Sequence, residues 1–255
     1  SSIKMNKYKL LVLDVDGTLV KDTSQVISPR VIEAIKSLTG KITTILCTGR
    51  SLEDLDQIIP LLNLENSYNV IESGSSVLSP GLNIEFVRSV DLIDAKRMFN
   101  LQGSLISNFS ICVDGNWRYS LDNIGDSNHI TTVTFYFDDP SKSDEVISYF
   151  NEFKDKYHMA IGTQWGNPEG RQLMITHKDA SKEKSLEYVQ NKLGVTIEET
   201  VCIGDMPNDL PMFRRSGLKI CMGNGDQKLK DASDLIVKSI DEDGVADAIE
   251  NYILK

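Results

Sequence analysis

The stretch LLVLDVDGTLV, residues 10–20, decides how this chain is read. Leu10, Leu11, Val12 and Leu13 have the composition of a buried strand, and the run stops at two carboxylates, Asp14 and Asp16, one residue apart. Gly17 and Thr18 then impose a tight turn. Two acids at the carboxyl end of a buried strand are costly to place. Unit charges about 4 Å apart repel by roughly 4 kcal/mol at an effective dielectric near 20. Such a pair persists where a cation sits between the two, where one is protonated, or where water reaches them. Asp-Gly is also a strong hairpin signal by itself, so the flanking chain has to decide between a turn and a site.

Downstream, 21–27 is polar and reads as a loop or small flap. Ser28 and Pro29 open a helix as N-cap and first helical residue, and Gly40 ends it. A strand over 42–47 runs into Thr48-Gly49-Arg50. Ser51 caps a second helix with Leu52, Leu55, Ile58 and Ile59 on its inner face. A third strand over 68–71 leads to Ser73-Gly74-Ser75. Strand, helix, strand, helix, strand implies a parallel sheet with right-handed crossovers.

From 80 to 177 the rhythm changes. Short strands are expected over 83–87, 110–113, 131–137, 159–163 and 172–176, with helices over 91–99 and 141–157; this reads as an inserted α+β domain. Alternation then resumes: a helix over 182–193 stopped by Gly194, and a buried strand over 200–203 ending on Gly204-Asp205. A helix through Phe213, a strand over 218–222, a helix over 227–232, a strand over 234–240 and a closing helix over 244–254 follow.

With 255 residues the chain can hold two modest domains, and 40% hydrophobic with 25% charged residues is an ordinary soluble composition. The net charge of −10 repels a phosphodiester backbone, and no basic block offsets it, so nucleic acid is not an expected partner. Cys47, Cys112, Cys202 and Cys221 are far apart and form no CxxC pair, against structural zinc or a disulfide framework. No stretch approaches the roughly 18 apolar residues of a membrane span. Residues 1–4 read as a polar leader without signal-peptide character, and a cytoplasmic protein, monomer or homodimer, is expected.

Polar groups recur at the ends of the apolar runs: Asp14 and Asp16, Thr48, then Asp205. In an open α/β sheet, ligands bind outside the carboxyl ends of the strands. Asp14, Asp16, Asp205 and Asp209 would make an oxygen-rich nest suited to magnesium. Asp14 is then the candidate nucleophile toward phosphorus, and Asp16 the acid that protonates the leaving oxygen and later activates water. Thr48 would hold a phosphate oxygen with the Gly49 amide close by, and Arg50 would reach the leaving group. Lys182, a cation at a helix start where the dipole disfavours it, calls for an anionic partner. In the inserted region, Trp117, Arg118, His129, Trp165 and Arg171 are further candidates for leaving-group contacts.

LDVDGTL at 13–19, CTGR at 47–50, Lys182, and GDMPNDLPMF at 204–213 resemble the four motifs of the haloacid dehalogenase-like phosphatases, in order and at fitting separations. The long insertion between the second and third motifs resembles the Cof-type subgroup of magnesium-dependent sugar-phosphate phosphatases. The chain departs from that subgroup at Ser73, where asparagine is common, and at Glu183, where glycine is. The resemblance implies a Rossmann-like parallel-sheet core with helices on both faces, spanning 1–79 and 178–255, and an inserted α+β cap over 80–177. It implies a phosphorylated Asp14, Asp16 as acid/base with its backbone carbonyl reaching magnesium, and Thr48 and Lys182 gripping the phosphoryl group. It also implies Asp205 as a metal ligand, with Asn208 and Asp209 supporting that end. The expected activity is hydrolysis of a small phosphorylated metabolite; a phosphosugar mutase or a non-catalytic sensor are the alternatives.

Overall fold

A computed structural model describes residues 6–21 and 24–255. The leader expected over 1–4, and part of the loop expected over 21–27, fall outside them. In chain order the elements are β1 (Leu10–Leu13), α1 (Pro29–Lys36), β2 (Thr43–Leu46), α2 (Ile58–Leu61), β3 (Asn69–Ile71), β4 (Ser76–Ser79) and β5 (Asn83–Val87). Then come α3 (Leu92–Leu101), β6 (Asn108–Val113), β7 (Asn116–Arg118), β8 (Ile130–Phe137), α4 (Ser143–Ser148), β9 (Tyr157–Gln164) and β10 (Asn167–His177). The last are α5 (Lys182–Leu193), β11 (Thr200–Gly204), α6 (Leu210–Phe213), β12 (Leu218–Cys221), α7 (Gln227–Asp231), β13 (Leu235–Ile236) and α8 (Gly244–Ala248). They form two compact units. One runs to Arg50 and adds Asp54–Glu85 and Ser181–Lys255; the other comprises Ser51–Glu53 and Phe86–Ala180.

The first unit is built on a five-stranded parallel sheet in the order β13-β12-β11-β1-β2. β1 and β11 are buried at every position, as their unbroken apolar runs demand. Their register pairs Leu10 with Thr200 and Leu13 with Ile203. The helices pack in two groups, α1 with α8 and α5 with α6. From β1 the chain moves to one side through β2, while β11 lies on the other side. The strand order therefore reverses between β1 and β11, and this is the switch point at which such sheets bind ligands.

The third strand departs from the simple alternation. β3 meets the main sheet through a single parallel bridge between Cys47 and Val70, and otherwise pairs antiparallel with β4 in a separate sheet, β3-β4-β5. The buried Asn69 side chain replaces strand pairing: its Oδ1 accepts the Leu46 amide at 3.0 Å and its Nδ2 donates to the Leu64 carbonyl at 3.1 Å. The turn between β3 and β4 places Glu72, Ser73 and Gly74 all at positive φ, which reverses the chain within a few residues.

The second unit carries a five-stranded antiparallel sheet, β7-β6-β8-β10-β9. One face presents Ile111, Val113, Val133, Phe135, Phe137, Leu173 and Ile175 to a core shared with residues of α3 and α4. Two helices expected from the sequence are broken. The segment after Ser51 forms only a 3-10 turn, Glu53–Leu55, before the one-turn α2, because the Glu53 amide donates to the Gly115 carbonyl instead of to a helical partner. The helix expected over 141–157 stops at Ser148 and gives way to a 3-10 turn, Asn151–Phe153. Residues three apart eclipse in that geometry, which sends both Phe150 and Phe153 into the core; Phe150 stacks on Phe135 at 4.6 Å. Among the described residues no helix is long and apolar enough to cross a membrane.

Candidate active site

The site lies at the carboxyl ends of β1 and β11. The Asp14 amide donates to the Ile203 carbonyl at 3.1 Å, so the ladder continues past β1 and fixes where the first carboxylate leaves the sheet. Asp205 leaves β11 at the matching level, and Asp209 closes the following 3-10 turn, Pro207–Asp209. Carboxylate oxygens of Asp14, Asp205 and Asp209 lie within 4.8 Å of one another, and all three residues are buried. Two glycines make room for them. A Cβ on Gly17, whose φ is +78°, would overlap the Asp205 carboxylate, and one on Gly204 would overlap that of Asp209. The glycine of DGT and the glycine of GD are therefore spatial requirements of the site as well as turn residues.

Asp209 is held from two sides. Its Oδ2 accepts the amides of Asp205 at 3.0 Å and Met206 at 3.3 Å, and its Oδ1 accepts Lys182 Nζ at 2.7 Å. Lys182 is buried at the first position of α5, whose N-cap Ser181 accepts the Lys184 amide. Its ammonium also lies 3.3 Å from Asp14 Oδ1, so the cation that the sequence left without a dipole partner sits between two acids. The Gly74 turn braces it: a Cβ there would collide with the Ser181 carbonyl, and Ser185 Oγ donates to the Gly74 carbonyl at 2.6 Å.

Thr48 is buried at the end of β2, with its Oγ1 accepting the Arg50 amide at 3.0 Å, and Gly49 beside it is exposed. The Ser73 amide donates to the Thr48 carbonyl and the Glu72 amide to the Arg50 carbonyl, which ties the strained turn to this loop. Arg50, expected at the leaving group, is 4% exposed and forks onto Asp16. The Asp16 carboxylate stands outside the three-carboxylate group. Asn208 is exposed on the Pro207–Asp209 turn. Asn224 was not anticipated: its Nδ2 donates to the Gly17 carbonyl at 2.9 Å and its Oδ1 accepts the Ile240 amide. It follows β12, another strand of the same sheet, and that position was the available signal.

The electrostatics are those of a site built for positive charge. Burial, then the Asp209 carboxylate, holds the Asp14 carboxyl well above the usual range, with Lys182 working against them. Burial pushes Asp205 up to about 6. For Lys182 burial opposes the charge, but Asp14 and Asp209 outweigh it and hold the ammonium above its ordinary value. One lysine does not neutralise three acids. An all-oxygen donor set that resists ionisation until more positive charge arrives fits a hard divalent cation.

A family model for haloacid dehalogenase-like hydrolases matches residues 11–122 and 116–249. Among curated relatives, a 5-amino-6-(5-phospho-D-ribitylamino)uracil phosphatase of Bacillus subtilis is 28% identical over 96% of both chains. A phosphoglycolate phosphatase of Methanobrevibacter smithii is 27% identical over 96% of this chain and 98% of its own. Among solved structures, a haloacid dehalogenase-like hydrolase from Bacteroides thetaiotaomicron superposes with a TM-score of 0.82 at 23% identity, covering 96% of this chain and 99% of that one. A subclass IIB sugar phosphatase superposes at 0.72 with 21% identity, over 96% and 98%. The family match spans the two units and takes in every motif residue placed above, so the chain belongs to the haloacid dehalogenase-like hydrolases.

Proposed function

We propose that the protein hydrolyses the monoester of a small phosphorylated metabolite, a sugar phosphate above all, through a phosphorylated Asp14, with magnesium as its cofactor. The observation that carries this reading is the Asp14 carboxylate, buried at the switch point with Lys182 Nζ 3.3 Å away and Asp205 and Asp209 beside it. Asp14 and Asp205 would hold the ion, with Asp209 behind them and the Asp16 backbone carbonyl contributing. When bound, the ion supplies positive charge that screens the attacking carboxylate from the phosphate's own charge.

The remaining chemistry belongs to the chain. Asp14 forms the bond to phosphorus as the ester oxygen departs, and Asp16 gives that oxygen its proton. Asp16 then takes a proton from the water that attacks the aspartyl phosphate, which releases inorganic phosphate and restores Asp14. Thr48 Oγ1, the Gly49 amide and Lys182 hold the phosphoryl oxygens, and Asn208 supports the Asp205 end.

The test is phosphate release from a panel of phosphorylated sugars, polyols and carboxylates, with magnesium and with a chelator. Turnover that needs magnesium and disappears in Asp14→Asn is expected. Turnover by the Asn variant at the wild-type rate would overturn the reading.

A further inference from the structure

The Arg50 guanidinium is committed to Asp16. Its Nε donates to Asp16 Oδ2 at 2.9 Å and its Nη2 to Oδ1 at 2.6 Å. Nη2 also donates to the Ser24 carbonyl at 2.7 Å, and Nη1 to the Asp54 carbonyl at 3.2 Å. Gln25 Nε2 donates to that same Asp54 carbonyl at 3.2 Å, so the guanidinium is framed by two backbone segments. The side chain of Arg50 is 3% exposed and that of Asp16 33%. The carboxylate faces outward and the arginine stands behind it. A two-point fork fixes both the location and the plane of a carboxylate, which a lysine ammonium cannot do.

We infer that Arg50 is a positioning residue for Asp16, acting on the reaction through that carboxylate and not by touching the leaving group. The inference rests on the proposed function, in which Asp16 protonates the departing oxygen. Asp16 sits on a tight turn next to an acidic cluster whose charge repels it. The fork is what opposes its rotation toward solvent. The Ser24 and Asp54 backbone carbonyls in turn hold the fork.

The test uses two aryl esters that offer no hydroxyl for an arginine to bind. Phenyl phosphate leaves as a basic phenolate that needs a proton; p-nitrophenyl phosphate leaves as a weak base that hardly does. Arg50→Ala is expected to lower kcat/KM by about 10²-fold on phenyl phosphate and by under about 10-fold on p-nitrophenyl phosphate, within the usual worth of general acid catalysis. Arg50→Lys is expected to follow Arg50→Ala and not the wild type, and it serves alone if the alanine variant fails to fold. Adding Arg50→Ala to Asp16→Asn is expected to cost nothing further, because the two act as one unit. Equal losses on both esters, no loss on either, or additive losses in the double variant would each overturn the inference. Wild-type turnover of the esters that needs magnesium and Asp14 keeps the proposed function standing under any of those results. A wild type silent on both esters and on the panel of phosphorylated sugars, polyols and carboxylates would end the two together.

Discussion

The two units of this protein treat charge in opposite ways. At the carboxyl edge of its parallel sheet the first unit buries Asp14, Arg50, Lys182, Asp205 and Asp209, and every buried charged residue among the described ones belongs to it. The second unit closes an apolar core around Phe135, Phe137, Phe150, Leu173 and Ile175. Its ion pairs stay near the surface, with Lys156 on Asp91 and Asp94, and Arg97 on Glu152. Desolvated charges stabilise a fold only when fully paired. The first unit therefore gives up stability for a reactive arrangement, and the second is built for shape.

Asp14→Asn pushes hardest on that contrast. It should cut turnover at least ~10⁴-fold, as loss of a nucleophile does, while the melting temperature of the metal-free protein holds or rises because one repelling acid is gone. Kinetics and thermal denaturation of one preparation check both; a large drop in melting temperature would mean that the acid was structural. Phe135→Ala is the counterpart in the second unit, with an expected cost of about 3–5 kcal/mol in urea denaturation. An unchanged midpoint would show that this core is not what holds its sheet.

Gly17→Ala comes next. The new methyl overlaps the Asp205 carboxylate at a positive φ, so about 10²-fold in activity and about 1–2 kcal/mol in stability should be lost. The smallest effect is on pH. Carboxyls whose pKa is raised by folding, Asp14 and Asp205, bind protons more tightly in the native state. Their protonation favours the fold below the unfolded value near 4, and that stability drains away as pH climbs to about 6, where Asp205 titrates. Chelated protein should be less stable at pH 7 than at pH 5, by an amount of order 1 kcal/mol. Magnesium at pH 7 should reverse the loss, and Asp205→Asn should flatten the profile. A chelated protein that gains stability from pH 5 to pH 7 would contradict the buried acid cluster.

The carboxylate group was legible because each member ends an apolar run or opens the next helix, and both features survive in one dimension. Lys182 was legible for a similar reason, being a cation where a helix disfavours one. The partner of Arg50 was not, since nothing local distinguishes an arginine aimed at substrate from one forked onto Asp16, thirty-four positions away. The room made by Gly17 and Gly204 was hidden as well: a turn glycine and a glycine with a carboxylate in its Cβ position look alike in sequence. Misread helices fell where tertiary contacts override propensity, at Glu53 with its amide on Gly115 and at Phe150 and Phe153 drawn into the core. β4 went unseen because the three positive-φ residues that fold it onto β3 include only one glycine.

The pairing of β1 with β11 has a consequence for biosynthesis. β1 emerges from the ribosome about 190 residues before its partner on one side is complete. At roughly 5–20 residues per second that interval is on the order of 10–40 s. Throughout it LLVL keeps one hydrogen-bonding edge open, and every strand of the second unit is synthesised before that edge is paired. An unpaired apolar strand edge is an invitation to aggregation, so the nascent protein is most vulnerable at the strand that later carries its nucleophile.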